Sequence, residues 1–330
     1  MIQRRQIIKG PAKVTYRGVT LFSRDDVTLD LGYDTFDIQS SAHGKLDERA
    51  VARRANVSFV PVGEWEGLSV LWPYGAFGIG TSIFDPTAYP VAPNTGDDFP
   101  LEIHSVAGEK VTIQSAAVTQ MPDLDLSAQR TAIGGVTFTG IGKDNTNWSD
   151  ADSLVKTETV AFNQADLGIL SIAQIKTVPV SAVWAGAAAP WDAIKSIGGF
   201  RVAFNLQTQP IETDEDGLVD MVVQNVGVEA RFQPLGITES ELLAAINLQA
   251  NAAVKRGGSM QALGGLTGGD LSLAGPASGD PSVSLTKVFL KNGGMGWGAA
   301  TPRMNEFSFV ATREFNAGVP LPLFTVGSVA

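Results

Sequence analysis

The sequence predicts a mainly β chain built of two tandem β-sandwich or barrel units, each with one flanking helix. Three observations predict it. Short runs alternate apolar and polar residues between 36 glycines and 17 prolines, the pattern of strands with one buried face. At 330 residues the chain exceeds the usual size of a single core. Its two halves also repeat one another at an offset of 173 residues.

The elements are taken in chain order. Residues 13–22 form a hairpin turning at Arg17-Gly18, with Val14 and Tyr16 before the turn and Val19 to Phe22 after it. Val27, Leu29 and Leu31 share one face of a strand while Thr28 and Asp30 point away. Val57 and Phe59 do the same around Ser58, and Val228, Ala230 and Phe232 around Glu229 and Arg231. Further strands are expected at 110–118, 136–139, 282–290 and 305–312. Thr238-Glu239-Ser240-Glu241 is a capping box, and Leu243, Ile246, Ala250 and Ala253 come after it at helical spacing before Lys255-Arg256-Gly257. That predicts a helix over 239–254.

The repeat is densest around one strand end. Leu29 falls on Val202, Leu31 on Phe204, Thr35 on Thr208, Ile38 on Ile211, Gly44 on Gly217 and Asp47 on Asp220. Phe59-Val60-Pro61-Val62-Gly63 then overlays Phe232-Gln233-Pro234-Leu235-Gly236, and at an offset of 171 Val136-Thr137-Phe138 overlays Phe307-Ser308-Phe309. A proline at the strand end cannot donate to a ladder, so it stops the strand and directs the chain into a helix-like segment. In one copy that segment is the capped helix, and in the other it is Glu64 to Trp72, halted by Pro73. These matches place a first unit at 1–168 and a second at 169–330.

The two long hairpins differ in charge. Residues 39–54 carry Lys45, Arg49, Arg53 and Arg54 against Asp47 and Glu48, a net of +2. Residues 212–227 carry Glu212, Asp214, Glu215, Asp216 and Asp220 with no cation, a net of -5. Opposite charge of this kind sets register between neighbouring copies, which makes these nine residues candidates for contacts between subunits or rings. The alternative is that each tip is simply solvated, where an exposed pair contributes only about 0–1 kcal/mol.

Chemistry is sparse. There is no cysteine, which excludes disulfides, thiolate metal sites and thiol nucleophiles. His43 lies in a polar turn and His104 on the polar side of Leu101-Glu102-Ile103-His104, neither in a nucleophile or zinc motif. Gly75-Ala76-Phe77-Gly78-Ile79-Gly80 does not open a helix after a strand, and Lys143 to Asp150 lacks the central glycine and final glutamate of a calcium loop. The acid pairs Glu64/Glu66 and Asp123/Asp125 lack an identifiable partner. We therefore expect no catalytic, cofactor-binding or metal-binding residues. The net charge of -10 argues against a basic nucleic-acid grip, and no stretch is long and apolar enough for an export signal or a bilayer span.

The opening Lys9-Gly10-Pro11-Ala12-Lys13-Val14 with Leu21-Phe22-Ser23, a long polar hairpin, and then Val57-Ser58-Phe59-Val60-Pro61-Val62-Gly63-Glu64-Trp65 leading into a short helix form a recognisable layout. It resembles the major tail tube protein of long-tailed, siphovirus-like bacteriophages, here in a duplicated two-unit form. The resemblance implies a virion structural protein, not an enzyme, assembled in the host cytoplasm. Three subunits would make a pseudo-hexameric ring, and stacked rings would form the tube for DNA ejection. It also implies transient contacts with a tape measure protein and phage DNA in the lumen, tail terminator and distal tail proteins at the ends, and no membrane. An acidic chain suits a lumen through which DNA must slide. Two other readings stay open: a hub, distal tail or connector ring that does not stack, and a β-sandwich enzyme acting on glycans with tryptophans as a sugar platform. Trp65, Trp72, Trp148, Trp184, Trp191 and Trp297 are the candidates for that platform.

Overall fold

The computed structural model describes residues 12–62, 65–84, 99–127, 131–141, 154–163, 165, 180–184, 191–213, 217–246, 269–296, 304–313, 315–316 and 319–329. The described chain is mainly β. Strands β1 (Ala12–Tyr16) and β2 (Val19–Ser23) form the first hairpin, with Arg17 and Gly18 both at positive φ. That is the two-residue turn whose twist matches the flanking strands. β3 (Thr28–Ser40) and β4 (Gly44–Phe59) form a much longer hairpin, followed by β5 (Pro61–Val62).

The flanking helix expected in the first unit is a single turn, α1 (Trp65–Leu68), continued by 3-10 turns at Ser69–Leu71 and Pro73–Ala76. Gly67 and Pro73 account for this: glycine weakens a helix interior, and proline clashes with the preceding turn. β6 (Leu101–Ser105), β7 (Glu109–Ile113), β8 (Ser115–Gln120), β9 (Leu124–Leu126), β10 (Thr131–Ile133), β11 (Val136–Ile141) and β12 (Val155–Thr159) complete the first half. The run 110–118, read as one strand, is thus two strands broken at Gln114, and they enter different sheets.

The second half holds β13 (Ser181–Trp184), the hairpin strands β14 (Lys195–Thr213) and β15 (Gly217–Leu235), and α2 (Glu239–Ile246). After these come β16 (Gly269–Ala274), β17 (Pro281–Asn292), β18 (Phe307–Ala311), the short β19 (Phe315–Asn316) and β20 (Val319–Pro320), and β21 (Phe324–Ser328). Helix α2 begins where the capping box requires. The Thr238 N–H donates to Glu241 Oε2 at 2.7 Å, and the Glu241 N–H donates back to Thr238 Oγ1 at 3.4 Å. The expected continuation over 247–254 lies outside the described residues.

One pairing scheme occurs twice. The orders β12-β7-β6-β1 and β3-β4-β11-β8 in the first half correspond to β21-β17-β16-β13 and β14-β15-β18-β17 in the second. The separate strands β7 and β8 correspond to the single β17. Where Gln114 breaks the first pair, β17 bulges at Thr286-Lys287. The Gln114 N–H donates to the Leu154 carbonyl at 3.2 Å, and the Thr286 N–H to the Leu323 carbonyl at 2.9 Å.

Buried side chains of both halves form one connected cluster. Phe59 stacks on Phe138 with ring centroids 6.0 Å apart, and Phe232 stacks on Phe309 at 5.3 Å. Segments of the first half also enter the second. β9 pairs with Phe200, Arg201 and Val202 of β14, and Gly80 to Phe84 runs along β15. Arg313 donates to the carbonyls of Ala76 and Phe77.

Candidate functional site

The two long hairpins carry six of the nine charged residues singled out from sequence, Lys45, Arg49, Arg53, Arg54, Glu212 and Asp220, and their described backbones share the same register shifts. In β3/β4 the register shifts between Asp34 and Thr35 and between Ile38 and Gln39. In β14/β15 it shifts between Gln207 and Thr208 and between Ile211 and Glu212, each 173 residues later. The turns agree too, Ser40 pairing with Gly44 and Thr213 with Gly217. An added bulge residue twists and bends a ribbon, so shared bulges give both hairpins one bend.

Lys45 is satisfied inside its own hairpin. Its ammonium lies 2.6 Å from Asp37 and 2.8 Å from Glu48, and the Asp37 and Glu48 hydrogen bonds push its pKa up to about 12. Glu48 also accepts from the Thr35 hydroxyl, and the Lys45 hydrogen bond first, then that of Thr35, holds its carboxyl below the usual range. The +2 counted for residues 39–54 omitted Asp37 on the facing strand, so the local field at Lys45 is weaker than the sequence count implied. Arg49 stands opposite Phe36, Arg53 opposite Tyr33 and Arg54 opposite Gly32 along β4. Asp220 Oδ1 accepts the N–H of Met221 at 2.6 Å and that of Phe84 at 3.3 Å. Glu212 belongs to β14, with its side chain outside what is described. Asp214, Glu215 and Asp216 lie outside the described residues.

Both four-strand orders, a separate sheet in the first half and part of a nine-stranded sheet in the second, have one apolar and one polar face. In the first, Ala55, Val57, Val118, Val136 and Phe138 are buried. On the opposite face the Thr139 hydroxyl donates to Asn56 Oδ1 at 2.9 Å and lies 2.9 Å from the Thr119 hydroxyl. In the second, the polar face is charged. Arg231 donates to Glu229 at 2.9 Å, Ser308 also donates to Glu229, and Arg201 stands 4.0 Å from Asp123. The Arg231 hydrogen bond holds the Glu229 carboxyl below its ordinary range. Glu229 and Arg231 were visible in the sequence as the outward members of an alternating strand. Asn56, Thr119 and Thr139 were not, because hydroxyl and amide residues carry no distinctive spacing.

The remaining candidates are structural. His43 sits in the exposed hairpin turn. His104 on β6 donates from Nε2 to the Val160 carbonyl at 3.1 Å, with its ring 5.0 Å from that of Phe162. Asp123 Oδ1 accepts the Phe204 N–H at 3.1 Å, and Asp125 is paired across the ladder with Arg201. Gly75 packs against the Phe324 carbonyl instead of cradling a phosphate. An open groove of about 490 Å³ over β6, β7 and β12 has Lys110 between Glu102 at 2.7 Å and Glu158 at 3.2 Å. The Glu102 hydrogen bond raises the Lys110 pKa, the wrong direction for an amine that must act as nucleophile or base.

Trp72, Trp184 and Trp191 are core side chains, and Trp72 Nε1–H donates to the Pro122 carbonyl at 2.9 Å. They cannot serve as a sugar platform without leaving the core. The side chain of Trp65, and Trp148 and Trp297, lie outside what is described, as do Glu64, the Glu66 side chain and the loop 143–150. Among the described residues no group of three His, Asp or Glu side chains is placed to hold a metal ion. No described helix is long and apolar enough to cross a membrane. No protein-family model and no curated protein matches the chain.

Proposed function

We propose that this chain is a structural subunit of a bacteriophage tail, polymerising as stacked rings into the tube through which the genome passes. The observation that supports the reading is a long, bulged hairpin that recurs with the same four-strand order, each with one apolar and one polar face. Sheets of this kind close the strand-edge liability by continuing around a ring. Their polar faces, with Asn56, Thr119 and Thr139 in one half and Arg201, Glu229 and Arg231 in the other, would then line a wet channel. Three chains carrying two units each would give a pseudo-hexameric ring. A tape measure protein and DNA would make transient, non-specific contacts with the wall, and terminator and distal tail proteins would cap the ends. A net charge of -10 favours passage of DNA over capture.

Negative-stain electron microscopy of the purified full chain, with mass photometry on the same sample, tests the proposal. Stacked rings with a central hole and a three-chain repeat are expected. Single rings that never stack would replace it with the hub or connector reading.

A further inference from the structure

The two long hairpins share a backbone but not a cover. Both edges of the second are closed by the first half of the same chain. β9 pairs along β14 at Phe200, Arg201 and Val202. The other edge, on β15, is met by the segment that comes after α1. The Val223 N–H donates to the Thr81 carbonyl at 2.9 Å, the Gly80 N–H to the Val223 carbonyl at 2.7 Å, and the Ile83 N–H to the Met221 carbonyl at 2.8 Å. The Phe84 N–H completes the clamp on Asp220 Oδ1. Phe204 is packed beneath this cover between Trp72 and Phe324, with centroids 5.9 and 4.8 Å away, and is only 8% exposed.

The equivalent positions on the first hairpin lie 173 residues earlier, and among the described residues no such cover exists there. β3 pairs with β4 alone, and β4 pairs beyond β3 only with β11, at residues 55–59. Val223 corresponds to Ala50, whose side chain is exposed, and whose N–H and C=O point outward by the shared register. Asp220 corresponds to Asp47, whose Oδ1 accepts the N–H of Glu48 at 2.8 Å just as Asp220 accepts that of Met221. Phe204 corresponds to Leu31, 60% exposed, and the partly buried Leu206 to Tyr33, 62% exposed. An open ladder edge beside large exposed apolar side chains is a template for another strand.

We propose that the first hairpin is the docking surface for the second half of another copy of this chain. That half would repeat on β3 and β4 the clamp that the first half makes on β14 and β15. The occupant is set by the internal symmetry: the first half already shows how one unit covers its neighbour's hairpin, and among the described residues each chain has one covered hairpin and one uncovered hairpin. The contact is head-to-tail, and such contacts close into rings or run on as filaments. The inference rests on the ring-forming reading above and adds which surfaces meet.

Photocrosslinking tests it. Tyr33 is replaced by benzoylphenylalanine in the full chain, wild-type ¹⁴N and variant ¹⁵N protein are mixed and assembled, and crosslinked peptides are sequenced. Crosslinks from position 33 of one chain to residues beyond 169 of another are expected. Leu31→Asp should raise the assembly concentration about tenfold or more, as should Ala50→Pro, which removes an outward N–H without touching the hairpin ladder. Both variants should keep the wild-type circular dichroism spectrum and melting temperature as monomers. Crosslinks from position 33 to the first half of another chain would overturn the inference and leave a stacked tube intact. So would variants that assemble like wild type, or a chain that stays monomeric at its solubility limit. Crosslinks of the expected kind in unstacked rings would uphold the inference and remove the tube.

Discussion

Phe138→Ala and Phe309→Ala form a matched pair that asks whether the two halves unfold together. Both rings are fully buried, each stacked on a phenylalanine at the root of the long hairpin, Phe59 or Phe232. Phe138 also meets Tyr16 edge-on at 4.8 Å, and Phe309 meets Trp184 at 5.1 Å. Truncating such a ring costs about 3–5 kcal/mol. Unfolding entropy near 60 °C is about 2.1 cal/mol/K per residue, so 330 residues unfolding as one unit give roughly 0.7 kcal/mol/K.

A loss of about 4 kcal/mol then lowers the melting temperature of the whole chain by about 6 °C, whichever half is mutated, but that of an independent half by about 12 °C. The structure favours one unit, because β9 pairs with β14, Gly80 to Phe84 pairs with β15, and the Leu323 N–H donates to the Gly75 carbonyl at 2.6 Å. Scanning calorimetry should therefore show one transition, shifted by a similar small amount in both variants. Two transitions, with each variant moving only one of them by the larger amount, would refute the reasoning.

Three other sites have defined expected outcomes. Gly75→Ala drives a Cβ into the Phe324 carbonyl oxygen, a backbone atom that cannot swing aside, so it should cost about 1–3 kcal/mol in urea unfolding and speed amide exchange in β21. Glu241 has its carboxyl held below the usual range by the Thr238 hydroxyl and then the Thr238 N–H; its contribution is present above the unfolded pKa and lost as pH falls through the folded one. The melting-temperature gap between wild type and Glu241→Gln should accordingly close on acidification, and Thr238→Ala should cost about 1 kcal/mol at neutral pH. Lys287 sits at φ +45 in the β17 bulge with its N–H donating to Asp270 Oδ1 at 2.9 Å, so Asp270→Ala should lose about 1 kcal/mol, whereas Lys287→Gly should be at least as stable as wild type in the same urea titration.

Alternation located the longer strands that bury one face. The hairpin at Arg17-Gly18, the cores of β11, β15, β17 and β18, and the start of α2 were all legible. The first long hairpin was legible only at its root, because between Leu31 and Arg54 none of the described side chains is buried and no apolar period remains. The strands β9, β12, β13, β16 and β21 escaped because they are only three to six residues long, too short for an alternation of two or three residues to stand out. The break at Gln114 escaped for a related reason. The residues flanking it still alternate, and only the choice between two sheets, a tertiary decision, separates β7 from β8. The charged tips were legible as residues, but their pairing was not: Asp37 neutralises Lys45 from the opposite strand, eight positions away.

Four of the identities that revealed the repeat stand where the hairpin geometry departs from a plain ladder. Thr35 and Thr208 come just after the first register shift, Ile38 and Ile211 precede the second and pair with Asp47 and Asp220, and Gly44 and Gly217 close the turns. Gly44 has φ +72, where a side chain is strained, and each aspartate takes the N–H of the next residue at the bulge. Backbone geometry therefore constrains these positions in both copies. At some of the positions that differ the surroundings differ as well: Leu31 against Phe204, Ala50 against Val223, Asn56 against Glu229, Ser58 against Arg231. The first two pairs contrast an uncovered hairpin with a covered one, and the last two contrast an uncharged sheet face with a charged one.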